Sequence, residues 1–319
     1  MIKTVVLDGY TVYPAGDSNW DRFNGFAEMT VYDRTAPGEV VDRCRDAEAV
    51  LTNKVVLDAA TIAALPSLRY IGVLATGFNV VDIAAARARG IAVTNIPAYS
   101  TMSVAQQVLA LLLAITNRVE SYAAVNRDGR WARSADFTYR LGEWPELAGK
   151  QMGIVGFGNI GSAVARIAVA MGMSVGVVTS RQQSDLPAGC VKMELDTMLE
   201  TADVVSLHCP LTPSTAGLID AAALARMKPT AILINTSRGP VVDEQALAVA
   251  LSSGQIAAAG LDVMSAEPPR ADNPLFSCPN CYITPHVAWA STEARERLIA
   301  IAASNLSAFA AGAPVNVVN

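Results

Sequence analysis

Short β-branched, apolar runs recur along the chain, and between them apolar residues return at helical spacing. The strand-like runs are TVVL (4–7), AVLT (49–52), YIGVL (70–74), MGIVG (152–156), SVGVV (174–178), VVSL (204–207), AILIN (231–235) and AAAGLDV (257–263). Helical patterns fill 82–89, 160–171, 219–226 and 243–253. Such alternation predicts parallel sheets covered by helices on both faces. The runs fall into two sets. The first ends at VTNIPAYST, where Pro97 breaks the pattern and a long helix over 101–118 begins. The second starts at Met152. An amphipathic helix over 291–312 follows the last strand and is expected to return to the first set. The expected fold class is α/β, with two doubly wound, Rossmann-like parallel-sheet domains and an active-site cleft between them.

Residues 119–150 break the alternation. NRDGRWARSADFTYRLGEWPELAGK holds two tryptophans and several arginines among turn residues. That is too many large side chains for a free linker. A packed excursion or a dimer arm accounts for them, against the plainer reading of a surface loop.

A length of 319 residues suits two domains, and 52% hydrophobic residues supply their cores. The net charge of −5, without any basic run, argues against nucleic acid as a partner. MIKTVVLDGYTVYP has too short an apolar core for a signal peptide and reads as a buried strand ending at Asp8-Gly9. VAQQVLALLLAI (104–115) is too short to span a bilayer and is interrupted by Gln106 and Gln107, so no membrane association is expected. Five cysteines are scattered. Cys278 and Cys281 alone form a CxxC, a weak zinc signal, and the expectation is no metal and reduced cysteines in the cytoplasm.

MGIVGFGNIGSAVARIAVAMG carries the strongest local signal. Gly156, Gly158 and Gly161, with Asn159 and Ile160 between them, form GxGxxG after an apolar strand and at the head of a helix. The first glycine permits the tight turn and the second lets the backbone approach a pyrophosphate. The third packs helix on strand, and the helix N-terminus offers N–H donors. Residues 99–289 are therefore expected to form the dinucleotide-binding domain, and 1–98 with 290–319 a discontinuous substrate (catalytic) domain. NAD sites place a carboxylate about 20 residues on, for the ribose 2′-hydroxyl. Here SVGVV runs into Thr179-Ser180-Arg181, and Asp185 comes several residues too late. A carboxylate would repel a 2′-phosphate, whereas arginine with hydroxyl neighbours attracts it. Ser180 and Arg181 therefore favour NADP(H), with NAD(H) as the alternative.

Three ionisable residues follow later strands: Arg238 after AILIN, Glu267 after AAAGLDV and His286 after YITP. Ligands of a doubly wound sheet sit beyond the strands' carboxyl ends. Each residue alone has a plain reading, as a surface cation, a turn acid or a structural histidine. Together they meet the needs of hydride transfer to a 2-oxo acid. Arginine grips the substrate carboxylate, and histidine protonates the carbonyl oxygen. A carboxylate beside that histidine orients it and favours its protonated form.

GIVGFGNIG, LHCPLTPSTAGLI, LINTSRGPVVDEQAL, GLDVMSAEP and NCYITPHVAWAS occur in this order. In them the chain resembles the D-isomer-specific 2-hydroxyacid dehydrogenases over essentially its whole length. The resemblance implies that Arg238, Glu267 and His286 are catalytic. It places the amides of Ala75, Thr76 and Gly77 on the substrate carboxylate. It puts His208, Cys209, Pro210, Thr236, Ser237, Asp262, His286 and Ala288 near the cofactor, and it implies a homodimer. Lys54 at the cleft would attract an anionic substrate, though a plain surface lysine fits equally. VVLDGYTVYPAGDSNW, LTNKVVLD, ATGFNVVD, VTNIPAYST and SVAQQVLALLL look most like glycerate dehydrogenases, also called hydroxypyruvate reductases. The implied activity is reversible reduction of hydroxypyruvate, with glyoxylate a second substrate. The alternatives are another 2-oxo acid, as in a D-lactate dehydrogenase acting on pyruvate, or a dinucleotide-sensing corepressor on the same fold.

Overall fold

The computed structural model describes residues 1–13, 19–143 and 145–319. Residues 14–18, part of the opening stretch that looks like glycerate dehydrogenases, and Trp144 of the 119–150 segment lie outside the described residues. The chain forms two compact units, Met1–Ser100 with Trp289–Asn319, and Thr101–Ala288.

In the first unit the strands are β1 (Ile2–Val6), β2 (Ala27–Val31), β3 (Ala49–Thr52), β4 (Tyr70–Val73) and β5 (Ala92–Thr94). They pair in parallel in the order β2-β1-β3-β4-β5. Helices α1 (Val40–Cys44), α2 (Ala59–Ala63) and α3 (Ile83–Ala88) lie in the crossovers. Every residue of β3 and β4 is buried, which is why these strands read as unbroken apolar runs. The strand order reverses between β1 and β3, so the loops after these two strands part at that point.

The second unit opens with α4 (Thr101–Asn117) and α5 (Val119–Arg127). Then come β6 (Gln151–Val155), α6 (Asn159–Ala170), β7 (Ser174–Val178), β8 (Cys190–Lys192), α7 (Leu195–Thr201), β9 (Val204–Leu207), α8 (Ala221–Arg226), β10 (Ile232–Asn235), α9 (Glu244–Ser253), β11 (Ala258–Leu261) and β12 (Cys281–Ile283). The strands form a parallel sheet in the order β12-β11-β10-β9-β6-β7-β8, reversing between β6 and β9. Among the described residues no single helix is long and apolar enough to cross a membrane. The apolar side of α4, including Val108, Leu111 and Leu112, is buried in this unit's core. The chain then returns to the first unit through α10 (Thr292–Ala310), whose Leu298, Ile299 and Leu306 join its core.

Aspartate caps set several helix starts. Asp220 and Asp243 accept N–H groups of the first turns of α8 and α9. Such caps are worth about 1 kcal/mol each and fix the boundaries at 221 and 244. The 119–150 segment begins as α5 and is then tied by its own contacts. Trp131 Nε1 donates to the Phe137 carbonyl at 3.0 Å, and the Leu141 N–H donates to the Tyr122 hydroxyl at 3.0 Å.

Candidate active site

The glycine-rich turn lies at the reversal of the second sheet. Gly156 takes φ +94°, and a Cβ there would stand 2.7 Å from the His208 carbonyl and the Cys209 nitrogen. The His208 N–H donates to the Val155 carbonyl at 2.7 Å, so the β6 and β9 loops touch where only glycine fits. A Cβ on Gly161 would meet the Gly156 carbonyl at 2.2 Å, which packs α6 tightly on the turn. A Cβ on Gly158 would meet nothing within 4 Å. That open space adjoins the first turn of α6, which carries no acidic residue and no side-chain cap. Free N–H donors and positive potential are thus left for an anion. After β10, two strands along the same sheet, Thr236 Oγ1 is buried without a hydrogen-bond partner. These features fit a dinucleotide.

After β7, Ser180 and Arg181 are exposed. The Arg181 guanidinium lies 5.6 Å from the ring centroid of Phe157 in the glycine-rich turn. Lys192 on β8 donates to the Arg181 carbonyl at 2.8 Å and adds a second cation. Asp185 turns back to accept the Gln182 N–H at 3.3 Å.

The three ionisable residues occupy turns after β10, β11 and β12. Asn235, buried at the end of β10, accepts from Ser237 N–H and Oγ and donates through Nδ2 to the Arg238 carbonyl at 2.9 Å. This folds the Thr236–Ser237–Arg238 turn back on the strand. Gly239 then lies so close to the next loop that a Cβ would be 2.0 Å from the Met264 carbonyl carbon and 2.3 Å from the Ser265 nitrogen. The Arg238 turn and the Glu267 loop are therefore in backbone contact. Glu267 accepts the Met264 N–H through Oε1 at 3.1 Å. Its Oε2 lies 2.6 Å from His286 Nδ1. With Nδ1–H given to the carboxylate, Nε2 is the ring nitrogen outside that pair.

His286 adopts φ +53°. The conformation is uncommon for a non-glycine residue, although histidine tolerates it better than most. Asp262 holds it in place. Its backbone carbonyl accepts the His286 N–H at 2.8 Å. Its carboxylate accepts Thr284 Oγ1 at 2.5 Å, the Val287 N–H at 3.0 Å and the Ala288 N–H at 2.9 Å. Burial pushes the Asp262 carboxyl pKa up, against the opposing pull of those donors and of His286. The other histidine differs. Loss of solvent drives His208 down to about 4, so it is neutral at physiological pH, with Nε2 2.8 Å from Ser206 Oγ.

In the first unit, Lys54 follows β3 at the reversal of that sheet. Asp8, buried after β1, accepts the N–H groups of Asn53, Lys54 and Val55 at 2.9, 2.6 and 3.2 Å and so shapes the turn carrying Lys54. Burial raises the Asp8 pKa despite these donors. After β4, the Ile96 N–H donates to the Ala75 carbonyl and Thr76 Oγ1 to the Ile96 carbonyl, fixing the start of the 75–77 loop.

A family model described as "D-isomer specific 2-hydroxyacid dehydrogenase, NAD binding domain" matches residues 109–288. The chain is 46% identical to a hydroxypyruvate reductase of Blautia hydrogenotrophica, over the full length of both. It is 42% identical to a glycerate dehydrogenase of Methylorubrum extorquens, covering 99% of this chain and 98% of that one. The chain belongs to the D-isomer-specific 2-hydroxyacid dehydrogenases. An NADPH-dependent glyoxylate/hydroxypyruvate reductase from Sinorhizobium meliloti, solved with NADP and malonate, superposes on this dehydrogenase with a TM-score of 0.86. It is 32% identical, with 99% of this chain and 96% of that one covered.

Several residues that shape this dehydrogenase's site escaped the sequence reading: Asp8, Asn235, Gly239 and Thr284. All lie inside or beside the quoted segments. Their importance comes from contacts across loops, which no local pattern announces.

Proposed function

We propose that the enzyme reduces hydroxypyruvate to D-glycerate reversibly, with glyoxylate as a second substrate and NADP(H) as the preferred cofactor. The observation that carries the reading is the 2.6 Å pair between His286 Nδ1 and Glu267 Oε2, on a loop in backbone contact with the Arg238 turn. The full-length relatives bearing the names hydroxypyruvate reductase and glycerate dehydrogenase support the choice of substrate. When bound, the reduced nicotinamide supplies a hydride to the carbonyl carbon of the substrate. Arg238 binds the substrate carboxylate, and in the first unit the amides of Ala75, Thr76 and Gly77 and the Lys54 ammonium are the groups suited to an anion. Arg238 also polarises the carbonyl. His286, protonated, gives the Nε2 proton to the developing alkoxide, and Glu267 holds the imidazole in that form and orientation. In oxidation the neutral imidazole takes the proton back.

Gly156, Gly158, Asn159, Ile160 and Gly161 hold the pyrophosphate. His208, Cys209 and Pro210 border the same turn, and Thr236, Ser237, Asp262 and Ala288 stand on the nicotinamide side. Ser180 and Arg181 take the 2′-phosphate, with Lys192 adding charge. This reading also makes the enzyme a cytoplasmic homodimer. Its five unpaired cysteines support the first, and the exposed Val119, Trp131 and Phe137 of the 119–150 arm support the second.

Scanning 2-oxo acids with NADPH and NADH tests the assignment. The highest kcat/KM is expected with hydroxypyruvate and NADPH. Turnover of none of them would favour a dinucleotide sensor, and a preference for pyruvate would favour a D-lactate enzyme. Arg181→Ala should lower the NADPH-over-NADH ratio of kcat/KM by about 10- to 100-fold, the worth of a charge-assisted contact. A preference for NADH that survives this substitution would overturn the cofactor assignment.

Glu267→Gln tests the proton donor. A neutral amide cannot form the ion pair that the carboxylate makes with an imidazolium at 2.6 Å. The alkaline limb of the reduction profile should move to lower pH. An unmoved limb would show that Glu267 does not govern the proton.

A further inference from the structure

Glu244 lies outside the glycine-rich turn and outside the Arg238, Glu267 and His286 set. Its carboxylate nevertheless grips the loop that carries Glu267. Oε1 accepts the Ser265 N–H at 2.5 Å, and Oε2 accepts Asn273 Nδ2 at 2.6 Å. The two contacts fasten the loop near both of its ends. Each anchor is itself fixed. Glu244 is the first residue of α9, behind its Asp243 cap. Asn273 Oδ1 accepts the Leu275 N–H and starts the short 3-10 turn Pro274–Ser277. Between the anchors the loop has little apolar burial to hold it, since residues 265–268 and 270–272 are exposed. Its position therefore depends on polar ties. A carboxylate suits the task because it only accepts, and both partners are donors.

We infer that Glu244 is a positioning residue for proton transfer, holding the 265–273 loop so that Glu267 stays against His286. The inference rests on the His286–Glu267 pair acting as proposed above. Charged groups near that pair include Asp262 beneath the His286 turn, Arg238 on the turn touching Met264 and Ser265, and the exposed Arg270–Asp272 ion pair within the loop.

The test is the pH profile of hydroxypyruvate reduction by the whole enzyme, with Tm recorded alongside. Glu244→Ala should lower kcat by about 10- to 100-fold, the scale of a small misplacement of a catalytic group. It should also move the alkaline limb to lower pH, the direction expected for Glu267→Gln. Added to Glu267→Gln, it should move the limb no further. Glu244→Gln, which keeps an oxygen for the Ser265 N–H, should restore much of the limb's position. Asn273→Ala removes only the far anchor and should give a smaller shift of the same sign, so the test survives if Glu244→Ala fails to fold. A lower Tm with an unmoved limb in both Glu244→Ala and Asn273→Ala would reduce Glu244 to a structural residue and overturn the inference. A limb that Glu267→Gln itself leaves in place would instead remove the His286–Glu267 reading, and this inference with it.

Discussion

Replacing His286 should lower kcat for reduction by about 10²- to 10⁴-fold, the usual worth of general acid catalysis. The alkaline limb should vanish with it, because no other group in the proposed site supplies that proton. The choice of substitution matters, because the backbone at His286 has φ +53°. Any side-chain-bearing residue there, histidine included, carries roughly 1–2 kcal/mol of backbone cost, which asparagine relieves best because it visits this region readily. His286→Asn therefore removes the imidazole with less disturbance of the turn, and His286→Ala mixes lost chemistry with strain. His208 cannot take over, since burial keeps it neutral down to about pH 4. Near-normal kcat in both variants would take His286 out of the acid role.

Gly239→Ala should be the most damaging single-methyl change in the site. Its new Cβ would overlap the Met264 carbonyl group and the Ser265 nitrogen, both backbone atoms with no rotamer to retreat into. Overpacking of this kind costs about 3 kcal/mol. For a unit of this size that is roughly 6–12 °C in Tm. Activity should fall further than stability does, because the methyl group pushes apart the turn bearing Arg238 and the loop bearing Glu267. A displacement of about 1 Å costs on the order of 10²-fold in rate. An unchanged Tm and kcat would mean that the two loops do not touch as described.

The sequence was most legible where burial is complete on both faces. AVLT and VVSL, buried throughout, each match a strand residue for residue, because parallel strands under helices need unbroken apolar runs, and SVGVV matches its strand around a buried centre although Ser174 is exposed. Three strands were missed. β2 (AEMTV) and β8 (CVK) are edge strands with polar, exposed positions, and β5 is three residues long. None of them has the run that gave the others away. MGIVG was placed one residue late, since Gly156 with φ +94° has already left the strand. The 119–150 segment hid a helix, because α5 (VESYAAVNR) has no buried residue to set a periodic pattern. At the site, Arg238, Glu267 and His286 stood out through their motifs. The groups that aim them did not. Asp262 was read as a cofactor neighbour, and no local pattern announced that its carboxylate also accepts Thr284 Oγ1 and the Val287 and Ala288 N–H groups beneath the His286 turn. Asp8, Asn235 and Glu244 act through contacts between loops, which become visible only in three dimensions.

The return of α10 to the first unit constrains how the enzyme is made. Leu298, Ile299, Ala302 and Leu306 cover part of the apolar core that β1, β3 and β4 form much earlier in the chain. A ribosome adds about 5–20 residues per second. The sheet of the first unit therefore leaves the exit tunnel on the order of tens of seconds before its covering helix. Over that interval the second unit can fold as a contiguous insert while the first remains open, a window in which a nascent-chain chaperone has apolar surface to bind.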